Sequence, residues 1–146
     1  MSEISKPRPR SLARECVFKA VFASRISDSH VREELDSLLE GLAEKAVDKI
    51  FARALVDHVY QHQSQAREAL QPCMRLQKSV ALNDVEDSLL LMAAVELLYH
   101  PDTPGKVVIN ESVNLCKRYG TADGFKFVNG VLDALLRQIT GATKEA

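Results

Sequence analysis

Four groups of residues carry side chains whose types and spacing could do chemistry. His58 and His62 are four apart, which puts two imidazoles on one face of a helix and could seat a metal ion. A zinc-hydrolase helix needs a Glu directly after the first His; here that residue is Val59 and no third ligand is apparent. A pair of surface or part-buried histidines is therefore expected, with His30 and His100 standing alone in connections. Cys16, Cys73 and Cys116 are odd in number, far apart and without a Cys-x-x-Cys pair, so they read as reduced, mostly buried apolar residues. Neither a Gly-rich phosphate cradle nor a Gly-x-Ser-x-Gly turn occurs, and nothing nominates a base for a cysteine nucleophile. No metal or other cofactor is expected, and the chain reads as a binding protein rather than an enzyme.

The other two groups are a basic N-terminus and an aromatic corner. Net charge is −1, but Lys6 to Arg25 holds six basic residues and one acid, and Arg32 to Asp48 holds six acids and two bases. Lys6, Arg8, Arg10 and Arg14 could bind phosphate locally, since guanidinium groups pair with phosphate through parallel hydrogen bonds. A solvated terminus is the plainer reading of the same residues. The corner Ala122-Asp123-Gly124-Phe125-Lys126-Phe127 sets charges of both signs among aromatics. Unstacked RNA bases are read by aromatic stacking and nearby polar groups, so Phe127 beside Lys126 could supply a stacking face and a phosphate contact. Phe127 reads equally as a core aromatic.

The elements that must position these groups are helical. Pro7 and Pro9 keep residues 1–9 extended as a flexible basic arm, and Ser11 is the expected cap of a first helix reaching about Ser24. A second helix carries the stripe Val31, Leu35, Leu38, Leu39 and Leu42. The third begins near Asp48 and is expected to stop at Leu70, before a short helix over Pro72 to Gln77. Asn83 and Glu86 have capping-box spacing ahead of a central, almost wholly apolar helix over Asp84 to Tyr99. The fifth opens at Thr103-Pro104 and closes at Tyr119-Gly120, where Gly suits a left-handed turn. The last places Phe125, Val128, Leu132, Leu135, Leu136 and Ile139 on one face, and 141–146 is a tail. Asn110 and Asn129 are expected to make inter-helix hydrogen bonds, and Gly130 to mark a close approach. No strand alternation competes, so the fold class is all-α: one compact domain over 10–140, of about seven helices in two small bundles, divided near residue 72. No apolar run approaches the roughly 20 residues that cross a bilayer, and the first residues lack a secretory core, so the cytoplasm is expected, with no membrane partner.

The stretch from Pro104 to Asp133, with Ile109-Asn110-Glu111, the Lys117-Arg118-Tyr119-Gly120 helix end and above all KFVNGVLD (126–133), closely resembles the NusB family of bacterial transcription antitermination factors. Ala13-Arg14-Glu15-Cys16 and the Val85 to Leu98 helix, ending Glu96-Leu97-Leu98, extend the resemblance over nearly the whole chain. It implies the same two-subdomain helical fold. It also implies an RNA-binding factor that, with ribosomal protein NusE, holds boxA RNA of nascent ribosomal RNA leaders and suppresses termination on RNA polymerase with the other Nus factors. Arg10 and Arg14 fall in the family's arginine-rich RNA motif, although relatives can carry consecutive arginines where this chain has Arg10-Ser11-Leu12-Ala13-Arg14; Lys6 and Arg8 could compensate. The resemblance turns Asp123, Lys126 and Phe127 toward RNA and places Glu86 near the protein partner. Leu91 stands where Arg is common, which implies a more apolar partner surface or a homodimer. The alternative is a helical protein–protein or dimeric scaffold module with weak or no RNA binding. Similar helical domains precede ribosomal RNA methyltransferases, but these residues hold no dinucleotide-type sheet pattern, so methyl transfer is not expected. The arm and the corner are expected to form one track for an unpaired strand.

Overall fold

The structure, a computed structural model, describes residues 8–77 and 82–141. All regular elements among these residues are helices: α1 (Pro9–Ser27), α2 (Val31–Glu40), α3 (Lys49–Leu76), α4 (Asp84–Tyr99), α5 (Gly105–Tyr119) and α6 (Gly124–Thr140). They fall into two compact units, divided between Val56 and Asp57.

In the first unit, Pro9 takes an opening position of α1, where a missing N–H removes no intrahelical bond. Arg8 is therefore the N-cap, without a side-chain capping bond, and Ser11 lies inside the helix rather than capping it. Lys6 and Pro7 lie outside the described residues, and Pro9 belongs to α1 rather than to the expected arm. The helix passes Ser24 and ends at Asp28, whose φ of 56° is a left-handed conformation that Asp adopts more readily than most residues. His30, expected to stand alone, caps α2: its Nδ1 accepts from the Arg32 N–H at 3.1 Å. Helices α1 and α2 pack together, with Val17, Phe18, Val21, Leu35 and Leu39 buried. Asp48 starts α3, accepting from the Phe51 N–H at 3.0 Å, while its own N–H reaches the Pro9 carbonyl at 3.0 Å.

Helix α3 runs straight through Pro72, so the helix expected to stop at Leu70 and the short one expected after it are a single element. Its break lies instead at His62 (φ −119°, ψ 22°), where the imidazole stacks on Tyr99 at 4.0 Å. Counting α3 on either side of that break turns six helices into seven segments. The division into units lies within α3, between Val56 and Asp57, rather than near residue 72 as expected.

In the second unit, α4 is apolar all round and buried from Ser88 to Leu97, with α5 and α6 packed on it. Gly120 ends α5 in an extended rather than left-handed conformation (φ −94°, ψ −169°). Glycine is needed there for space: a Cβ would stand 2.9 Å from both the carbonyl oxygen and the Sγ of Cys116. The inward face of α6 carries Phe127, Val128, Val131, Leu132 and Leu135; Phe125 and Leu136 are half-buried and Ile139 is exposed, a rotation from the face expected. Asn110 and Asn129 are exposed and do not lie buried between helices. A Cβ on Gly130 would meet Gln77, 2.8 Å from its amide carbon, so that glycine does sit at a close approach.

Candidate nucleic-acid interface

In the first unit the basic residues gather around Phe51. The Arg10 guanidinium carbon lies 4.5 Å from the ring centroid and that of Arg14 lies 5.0 Å from it, so the four-residue spacing does place both on one side. Arg10 Nε also reaches Asp48 Oδ2 at 3.4 Å, and 47% of its side chain is exposed. Asp48 thus both caps α3 and anchors Arg10. Arg8 is exposed. Arg14 is not available to a phosphate: only 3% of it is exposed, because its long stem lies within the unit and its head lies on Phe51. Its expected RNA contact is therefore replaced by a packing role.

The α5–α6 corner of the second unit carries a denser set. Lys117 Nζ stands 4.9 Å from the Phe125 ring centroid. The Arg118 guanidinium carbon stands 5.1 Å from the centroid of Tyr119, and Arg118 Nη2 donates to the Tyr119 hydroxyl at 3.2 Å. Lys126 and Asp123 are both well exposed and 3.9 Å apart, a separation at which a surface pair contributes little. Phe127, offered as a stacking face, is 8% exposed and belongs to the core; one residue either way on a helix turns a side chain by about 100°. Phe125 is half-buried and Tyr119 is exposed, and the exposed cations Lys117, Arg118 and Lys126 lie in the same short stretch. Stacking faces bordered by cations suit unpaired nucleotides. Sequence reasoning missed Lys117, Arg118 and Tyr119 because basic residues in a last helical turn already have a reason to be there, opposite the helix dipole.

Both expected protein-interface residues are buried. Leu91 is 2% exposed, in the middle of α4, so it offers no apolar surface for a partner or a homodimer. Glu86 is 3% exposed: the Asn83 side chain accepts its N–H at 2.8 Å, as the cap predicts, but its carboxylate accepts from the Thr121 hydroxyl and N–H at 2.7 and 3.2 Å.

The other candidate groups are paired or buried. His58 Nδ1 and His100 Nε2 are 2.8 Å apart, so one ring donates to the other and His100 is not isolated. Among the described residues no group of three or more His, Cys, Asp or Glu side chains is placed to hold a metal ion. The three cysteines are free and buried, and burial pushes every thiol up, that of Cys116 to about 11 with a further contribution from Glu86. No helix among the described residues is long and apolar enough to cross a membrane.

These features define an all-α fold with a cationic, aromatic corner on its second unit. A family model described as the NusB family matches residues 11–137, and the chain belongs to that family. It is 37% identical to the transcription antitermination protein NusB of Thiobacillus denitrificans over 131 residues, covering 89% of each chain. The corresponding protein of Burkholderia lata is 33% identical over 147 residues, covering all of this chain and 97% of the relative. Among solved structures, T. maritima NusB matches with a TM-score of 0.77 at 32% identity, covering 89% of this chain and 92% of the other. A chain from a complex of the antitermination factors NusB and NusE with double-stranded RNA matches at 0.73 and 21% identity, covering 88% and 96%, a likeness of fold.

Proposed function

We propose that this chain is a non-enzymatic, RNA-binding transcription antitermination factor that acts with NusE in the cytoplasm. The observation that carries this reading is the corner where exposed Lys117, Arg118 and Lys126 stand among exposed Tyr119 and half-buried Phe125, on a chain of the NusB family. The RNA is an unpaired boxA element of a nascent ribosomal RNA leader, and the assembly works on RNA polymerase beside the other Nus factors. Lys126 supplies a phosphate contact, Asp123 tunes it, and Phe125 or Tyr119 gives a base its stacking face. Arg8 and Arg10 add cationic contacts from the first unit. Binding by one small protein is weak, and NusE strengthens it by engaging the same RNA, so the affinities are linked. With Leu91 buried, the homodimer reading keeps only the spaced arginines as its motive.

Fluorescence anisotropy of a boxA oligonucleotide, with and without NusE and over a range of salt, tests this. Tighter binding with NusE is expected, with a negative salt slope that falls by about 0.7 for each phosphate contact removed. Lys126→Ala and Arg10→Ala should each flatten the slope by that amount. A boxA affinity indifferent to NusE and to both substitutions sinks the proposal.

A further inference from the structure

Glu86 keeps its carboxylate largely withdrawn from water. It is 3% exposed, and no basic side chain among the described residues pairs with it. A buried carboxylate needs donors in place of its hydration. Both come from one residue 35 positions away: the Thr121 hydroxyl and the Thr121 N–H donate to the same oxygen, Oε2, at 2.7 and 3.2 Å. Glycines flank the contact. A Cβ on Gly120 would stand 3.4 Å from Oε2, and one on Gly124 would overlap that oxygen and stand 2.6 Å from Cδ. At the third position of a helix, Glu commonly reaches back to its own cap, yet here the carboxylate turns away to a different element.

The constraint travels onward through the backbone. The Thr121 carbonyl accepts from the Gly124 N–H at 3.2 Å, and the Asp123 carbonyl accepts from the Lys126 N–H at 3.1 Å. Asp123 makes no side-chain capping bond, so the first turn of α6 has no local cap to orient it. Its start is tied instead, through Thr121, to α4, the most deeply buried helix of the second unit.

We infer that Glu86 is a positioning residue for RNA binding: hooked to Thr121, it sets the α5–α6 corner so that Lys126 and Asp123 face the strand, without touching RNA itself. This rests on the RNA-binding reading above. The test is a double-substitution cycle on the full chain with NusE, read by boxA anisotropy. Thr121→Val removes the hydroxyl donor at an exposed position with little change of shape, and Glu86→Gln and Gly124→Ala disturb the hook from its other two sides. Each should weaken boxA binding about five- to tenfold alone, and by less than about twofold in a Lys126→Ala background, because the hook acts through Lys126. Thr121→Ser should restore wild-type binding, and Thr121→Val, which takes one of two donors from a buried carboxylate, should lower the urea midpoint modestly while leaving the chain folded under the binding conditions. Equal weakening with and without Lys126, or wild-type binding by Thr121→Val, overturns the inference while the RNA-binding reading stands. Failure of the wild-type chain to bind boxA overturns both.

Discussion

Arg10 and Arg14 share one aromatic ring but should respond oppositely to truncation. Arg14 is 3% exposed with its guanidinium carbon 5.0 Å from the Phe51 centroid. Removing it loses a desolvated cation–π contact of about 2 kcal/mol and two buried methylenes at about 0.8 kcal/mol each, less a few tenths from relief of repulsion by Arg10. Arg14→Ala should therefore destabilise the chain by about 3 kcal/mol. With a urea dependence of about 2 kcal/mol per molar, the midpoint falls by roughly 1.5 M, and the melting temperature by roughly 6–12 °C for a chain of this size. Arg10 is half exposed, so its pair with Asp48 and its place on the ring are screened, and Arg10→Ala should cost only about 1 kcal/mol. Binding should rank them the other way: at a temperature where both variants are folded, Arg10→Ala flattens the boxA salt slope and Arg14→Ala leaves it unchanged. Arg14→Lys, which keeps charge but loses the planar group, should be intermediate in stability and neutral in binding. Urea denaturation by circular dichroism and anisotropy on the same samples decide the matter. An Arg14→Ala protein with a wild-type urea midpoint and a flattened salt slope would refute the assignment of Arg14 to packing.

Three further outcomes follow from the same geometry. Burial and then Glu86 raise the Cys116 thiol from its ordinary 9.0 to about 11, so between those values the folded chain keeps a proton that the unfolded chain loses; stability should fall as pH rises from 9 toward 11, and Cys116→Ala should reduce that fall in urea titrations across the window. Gly130→Ala should be neutral or stabilising by up to about 1 kcal/mol, because helix propensity favours Ala and the crowding atoms are the far end of the flexible Gln77 side chain; a melting temperature several degrees lower would contradict this. Arg67 forms a two-pronged bond to Asp87, both contacts at 2.9 Å, so Arg67→Ala should cost about 1 kcal/mol of stability and leave the boxA salt slope unchanged.

The helices were legible because their signals are local: a 3.6-residue apolar period, Asn83 before α4, prolines near the starts of α1 and α5. The fate of the chemistry-bearing side chains was not, because it depends on partners distant in sequence. Glu86 is decided by Thr121, 35 residues on, and His100 by His58, 42 residues back. Phe125 and Phe127 are two residues apart and so point in widely different directions, and only the packing of α6 on α4 chooses which of them is buried. This has a consequence for reading motifs. Arg14, Glu86 and Phe127 stand in the stretches that carried the family resemblance, yet all three are buried, whereas exposed Arg10 and Lys126 stand beside them. A recognisable motif here mixes residues that hold a surface in shape with residues that present it. Charge and residue type do not separate the two kinds, since a buried arginine on a phenylalanine and an exposed one beside it share the same spacing rule. Stability and salt dependence do separate them, because a side chain withdrawn from water affects the folding equilibrium while one facing solvent affects counterion release.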